Sequence, residues 1–181
     1  MCFSEVTLLP AAIAISGSPS RESKSRRLLA HGTDRLSSHG VRTQILDLCV
    51  LPADDLLGRS RSPAITRALD SVAGAQLILV ATPVYRASYS GLLKSFFDLL
   101  PQDALAGKTA ILIATGGSPA HSLVVDYALR PLVASVGGLS VATGIYGTDA
   151  QFGANGPDAK LLASVDRAVA EAQEVMAHGV L

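Results

Sequence analysis

Three short stretches of this 181-residue chain carry side chains able to hold and polarise a ligand. The first is Ser16-Gly17-Ser18-Pro19-Ser20-Arg21-Glu22-Ser23-Lys24-Ser25, with five hydroxyls, two cations and one glycine. It opens a predicted helix, so the unpaired N–H groups of a first helical turn and the positive end of the helix dipole point into it. That combination suits a phosphate dianion. Ser18, Ser20, Ser23 and Ser25 would donate hydrogen bonds, and Arg21 or Lys24 would neutralise charge. No lysine closes a G-x-x-x-x-G and no G-x-G-x-x-G is present, which excludes a nucleotide-hydrolysing P-loop and leaves no dinucleotide fingerprint. A serine-rich helix cap with solvated cations is the plainer reading of the same residues.

The second stretch is Thr82-Pro83-Val84-Tyr85-Arg86-Ala87-Ser88-Tyr89-Ser90-Gly91. Pro83 stiffens the chain and biases Thr82 to extended backbone. Tyr85 and Tyr89 stand out where aromatics make up only 4% and tryptophan is missing. Beside a phosphate site they suggest a flat bound ring; the plainer reading has them covering core edges with wet hydroxyls. The third stretch is Thr115-Gly116-Gly117-Ser118-Pro119-Ala120-His121. Paired glycines let backbone N–H groups approach a ligand closely, or simply supply a tight turn at positive φ. His121 has no companion ligand for a metal site and no partner for acid–base work.

The elements that must position these stretches follow from apolar runs alternating with helical patterns. Strands are predicted over Ala11–Ser16, Val41–Leu48, Gln76–Ala81, Lys108–Ala114 and Leu139–Ile145. Helices are predicted over about Ser23–Ser38, Ala53–Gly58, Ala64–Ala73, Ser90–Leu100, His121–Val136 and Pro157–Ala177. Such alternation with short connections specifies a parallel sheet covered on both faces. Five strands fit an α/β three-layer sandwich of flavodoxin-like order 2-1-3-4-5, with residues 1–181 forming a single domain. A TIM barrel needs more chain, and a full two-half dinucleotide fold needs a sixth strand. In this order the winding reverses between strands 1 and 3, and the crevice at their carboxyl ends is the expected ligand site. All three stretches fall there.

Composition narrows the function classes. Lys+Arg 15 against Asp+Glu 15 gives a formal net charge of +0, without the basic excess that a nucleic-acid binder needs. Hydrophobic residues are 49% and charged ones 17%, ample for a core. The mean hydropathy of +0.37 fits parallel strands buried on both faces. Cys2 and Cys49 have neither C-x-x-C spacing nor nearby histidines, so the reading is no zinc, no disulfide framework and a reducing compartment. Leu8–Ile15 is too short to span a bilayer and has no positive residue ahead of it. It is read as a core strand retained in a cytoplasmic protein.

A phosphate cradle, an aromatic wall and a glycine floor together describe a flavin mononucleotide (FMN) site. The residues that do so also resemble a known family. Gly17-Ser18-Pro19 with Ser23 and Ser25, Ala81-Thr82-Pro83-Val84-Tyr85 continuing to Tyr89-Ser90-Gly91-Leu92-Leu93-Lys94, and Ala114-Thr115-Gly116-Gly117 with His121 and Asp126-Tyr127-Ala128-Leu129 are similar to the NADPH-dependent FMN reductases. The nearest branch is the reductase partner of two-component alkanesulfonate or sulfone monooxygenases. The resemblance runs from about Ala11 to Gly144. It implies Ser18, Ser23 and Ser25 at the phosphate, Pro83, Val84, Tyr85 and Arg86 flanking the isoalloxazine ring, and Thr115, Gly116 and Gly117 beneath its pyrimidine side. Many relatives carry arginine directly after Gly-Ser-Pro, where this chain has Ser20; Arg21 or Lys24 would then serve as the cation.

The resulting expectation is a hydride transfer from NADPH or NADH to FMN, with reduced FMN passed to a flavin-dependent monooxygenase. The cofactors carry that chemistry, so no side chain need act as acid or base. Gly116 and Gly117 would stabilise the anionic reduced ring through their N–H groups, and Arg86 would help hold pyridine nucleotide or flavin. An FMN-bound quinone, azo or metal-oxyanion reductase is the enzymatic alternative. A flavodoxin-like electron carrier is the non-enzymatic one, and such carriers are usually strongly acidic. The family also implies a homodimer or homotetramer and a π-helical stretch after strand 4. Pro131 gives a local reason for that stretch: it has no N–H and collides with the Tyr127 carbonyl, which a π-bulge over Asp126–Pro131 would relieve.

Overall fold

The computed structural model describes residues 11–178; Cys2 and the Leu8–Pro10 part of the expected first strand lie outside them. A run such as Ala12–Ser16 is apolar on both faces and must sit inside a covered parallel sheet. This strand, β1, is buried along its whole length. It pairs with β2 (Thr43–Asp47) on one side and β3 (Leu77–Pro83) on the other, and β4 (Thr109–Gly116) follows β3. All of these pairings are parallel, with Ile13 beside Gln44 and Ile78, and Ile78 beside Ala110. The order β2-β1-β3-β4-β5 is the flavodoxin-like one expected.

Alternation along the strands divides the core in two. Ala12, Ala14, Leu77, Leu79, Ile111 and Ile113 meet α1 (Lys24–Ser38) and the long α6 (Ala159–His178). Ile13, Ile15, Ile78, Val80, Leu112 and Ala114 face the shorter elements: α2 (Ala53–Leu56), α3 (Pro63–Gly74), α4 (Gly91–Phe97) and α5 (Arg130–Ala134). No helix among the described residues is long and apolar enough to cross a membrane.

The fifth strand departs from the expected Leu139–Ile145. It is split into β5 (Leu139–Ser140), beside Thr109–Ala110, and β6 (Ile145–Thr148), beside Ile113–Gly116. Side chains satisfy the backbone that leaves the sheet between them. Arg130 donates to the Ser140 hydroxyl and to the carbonyls of Val141 (2.9 Å) and Ala142 (3.3 Å). Glu171 accepts from the Thr143 N–H at 2.9 Å and from the Thr143 hydroxyl. Burial pushes the Glu171 carboxyl up, but the Thr143 bonds and the nearby Arg167 charge outweigh it and bring the group below its ordinary value.

The helix expected over His121–Val136 is three pieces: a 3₁₀ turn at Pro119–His121, a π-helical turn at Val125–Leu129, and α5. The Arg130 N–H donates to the Val125 carbonyl, five residues back, immediately ahead of Pro131. The π turn therefore sits where the proline removes a regular bond. It buries Val125 and Leu129 while leaving Tyr127 80% exposed. Other boundaries shift by two or three residues; β3 and β4, expected to end at Ala81 and Ala114, run on to Pro83 and Gly116. α4 ends at Phe97 rather than Leu100, and a small hairpin, β7 (Phe152–Gly153) with β8 (Gly156–Pro157), takes up Pro157 ahead of α6.

Candidate functional site

At the carboxyl ends of β1, β3 and β4 lies an open cleft of about 250 Å³. One wall is the turn between β1 and α1. Ser23 caps α1, accepting from the Arg26 N–H at 3.2 Å, and its hydroxyl lies 3.2 Å from that of buried Ser25. The N–H groups of Lys24 and Ser25, at the start of the first turn, have no acceptor within the helix. Ser18 accepts from the Ser20 N–H at 3.1 Å, and Ser20 from the Glu22 N–H at 3.3 Å. A hydroxyl that accepts in this way keeps its own proton to donate. Gly17 fixes the turn against the sheet: its N–H donates to the Ala81 carbonyl at 2.8 Å, and its carbonyl accepts from the Ser90 hydroxyl at 2.5 Å. A Cβ on Gly17 would stand 2.8 Å from that of Leu93, so no other residue fits without movement.

The opposite wall is built from the exits of β3, β4 and β6. Thr82 accepts from the Ser90 N–H at 3.0 Å, tying the β3 exit to the start of α4. Tyr85 and Ser88 exchange backbone bonds of 2.9 and 3.1 Å around Arg86-Ala87. Those two residues hold φ of 50° and 63°, the left-handed conformation of a two-residue hairpin turn that usually selects Asn-Gly. Gly116 lies directly over the Tyr146 hydroxyl, which would meet any Cβ placed there. That hydroxyl donates to the Ser118 carbonyl at 2.7 Å and so fixes the glycine loop. Burial, reinforced by the Asp149 charge, pushes the Tyr146 phenol above its ordinary value. Asp149, just beyond β6, pairs with Lys24 at 2.8 Å and joins the two walls.

The cleft brings together Ser18, Ser20, Ser23, Lys24, Pro83, Val84, Tyr85, Thr115, Gly116 and Gly117, with Asp149 as an eleventh lining residue. Three predicted site residues do not line it. Ser25 is fully buried behind Ser23. Arg21 turns to Asp47 at 3.9 Å, a carboxylate already held by Arg26 through bonds of 2.7 and 3.0 Å. Arg86 is exposed on the hairpin outside the cleft. Tyr89, expected in the aromatic wall, packs instead against the core on the α4 face. Asp149 and Tyr146 escaped the sequence reading because the fifth strand was expected to end at Ile145. A strand running to Thr148 places a carboxylate at its carboxyl end, where a ligand contact is expected.

The donor set fits one kind of ligand. Hydroxyls, first-turn amides and an ammonium crowd one end, while Pro83, Val84, Tyr85 and side-chain-free Gly116-Gly117 flank the other. A phosphate ester carrying a flat ring, as in FMN, matches both ends. Comparison with known proteins agrees. The family model of the NADPH-dependent FMN reductases matches residues 10–153, and the chain belongs to that family of NAD(P)H:FMN oxidoreductases. It is 44% identical over 140 residues to the FMN reductase (NADPH) of Pseudomonas putida, covering 77% of this chain and 71% of that one. It is 38% identical over 144 residues to the NADH-dependent FMN reductase SfnF of Pseudomonas fluorescens, covering 77% of each. The solved apo form of the NADH:FMN oxidoreductase EMOB matches at a TM-score of 0.82 and 37% identity, over 89% of this chain and 87% of that one.

Proposed function

We propose that residues 1–181 form one catalytic domain that takes a hydride from NADPH or NADH onto FMN and hands reduced FMN to a partner monooxygenase. The observation that carries the reading is the cleft itself, with phosphate donors and a glycine floor facing each other where the winding of the sheet reverses. The hydride-accepting ring is supplied by FMN when bound. The chain's own part is to position and to stabilise charge. Ser18, Ser20, Ser23 and Lys24 would hold the phosphate, and Pro83, Val84 and Tyr85 one side of the ring. Thr115, Gly116 and Gly117 would present backbone dipoles to its pyrimidine edge. No lining residue is needed as an acid or base. The one carboxylate among the described lining residues, Asp149, is occupied by Lys24.

NADPH and NADH are both supported as hydride donors by the likeness to one relative called an NADPH enzyme and another called an NADH enzyme. The monooxygenase partner is supported by the likeness to reductases of two-component systems. A homodimer or homotetramer in the cytoplasm is supported by the exposed Leu123 and Tyr127 and by the sparing use of cysteine. The test is a visible spectrum of the purified protein with and without added FMN, followed by NADPH and NADH oxidation. FMN-dependent oxidation, saturable in free FMN, is expected. No flavin binding at all would overturn the reading, and oxidation by a permanently bound flavin would move it to the quinone and azo class.

A further inference from the structure

Lys24 is the one cation among the described residues lining the cleft, and its ammonium is already engaged: Asp149 stands 2.8 Å away and the Phe152 ring lies 5.6 Å beneath it. Two guanidinium groups of the same turn are directed elsewhere: Arg21 and Arg26 both turn to Asp47, at 3.9 and 2.7 Å. An arriving phosphate dianion therefore meets no unpaired positive side chain among the described lining residues. It must share Lys24 with a carboxylate of its own sign on the facing wall. We infer that Asp149 sets the grip of the cleft on phosphate by competing for Lys24, so that FMN is held loosely enough to exchange as a substrate. This rests on the FMN reading and adds to it an affinity-setting residue from the β6 exit.

The competition acts on the phosphate tail alone, which riboflavin lacks. Affinities of FMN and riboflavin, measured by quenching of flavin fluorescence at low ionic strength, are compared for the unaltered protein and Asp149→Asn. Both residues of the pair are partly exposed, so the expected gain is modest: FMN binds about two- to fivefold more tightly and riboflavin is unchanged. In a Lys24→Gln background the same substitution has no effect on FMN. Weaker FMN binding by Asp149→Asn would show that Asp149 positions Lys24 for the phosphate, and equal gains for both flavins would show that it only shapes the loop. A gain that persists without Lys24 would show direct repulsion. Each of these overturns the inference while leaving the FMN reading intact. FMN binding to neither form would overturn that reading itself. Asp149→Ser provides a second neutral variant should Asp149→Asn melt early.

Discussion

The two walls of the cleft are made in different ways. On the serine wall, side chains bond to backbone two or three residues away, and its hydroxyls come from a single turn. The glycine wall is assembled at long range. Its floor depends on Tyr146, 28 residues beyond the Ser118 carbonyl that it holds, and Tyr146 depends on where β6 rejoins the sheet. A local wall can be altered one donor at a time. A long-range wall responds as a unit, because a shift in the split fifth strand moves the aspartate, the tyrosine and the loop that the tyrosine braces.

The sharpest break of this contrast is at Gly17, where the serine turn packs directly against the sheet and α4. Gly17→Val drives a side chain into Leu93 and the Ala81 carbonyl and should cost ~3 kcal/mol in denaturant unfolding. A loss below 1 kcal/mol would mean that the turn is free of the sheet. Next is Ser23→Ala, which removes one donor and leaves the glycine wall alone. FMN affinity should fall by roughly 1.5–3 kcal/mol, the worth of a hydrogen bond to a charged group, while the lost cap costs about 1 kcal/mol of stability. Unchanged FMN affinity would make Ser23 a helix cap only. Gly116→Ala should displace the Tyr146 hydroxyl from the Ser118 carbonyl, costing ~1–2 kcal/mol of stability and weakening FMN binding with Lys24 and the serines intact.

The smallest effect sharpens the role of the split strand. The Glu171 carboxyl is held below its ordinary value, so its stabilisation is fully present above the ordinary glutamate range and is lost as pH falls through the lowered one. Glu171→Gln should cost about 1 kcal/mol near neutrality and should flatten the acid limb of a stability–pH curve. An acid limb identical to that of the unaltered chain would remove Glu171 as the anchor of Thr143.

The sequence made legible what is local or strongly patterned. Unbroken apolar runs such as Ala12–Ile15 and Leu77–Ala81 specify buried parallel strands, and five such strands alternating with helices fit the order that the sheet adopts. The serine turn reads directly as a helix entry, and Pro131 marked the π turn through the bond it cannot make. The split of the fifth strand was not legible, because Arg130 and Glu171 hold it from other elements. Nor was the turning away of Arg21, which depends on β2 delivering Asp47 beside Arg26. The hairpin at Arg86-Ala87 was hidden because neither residue type signals a left-handed turn.

That hairpin bears on any attempt to improve the protein. Two consecutive side-chain-bearing residues in left-handed geometry forgo roughly 1–2 kcal/mol each, a reserve that Asn-Gly at the same two positions would recover without redrawing the turn. The rim of the cleft is thus wound like a spring, with a guanidinium at its tip that has no ion-pair partner among the described residues. Relaxing that spring would give a hardier protein and would show, by whatever it ceased to do, what the arginine there is for.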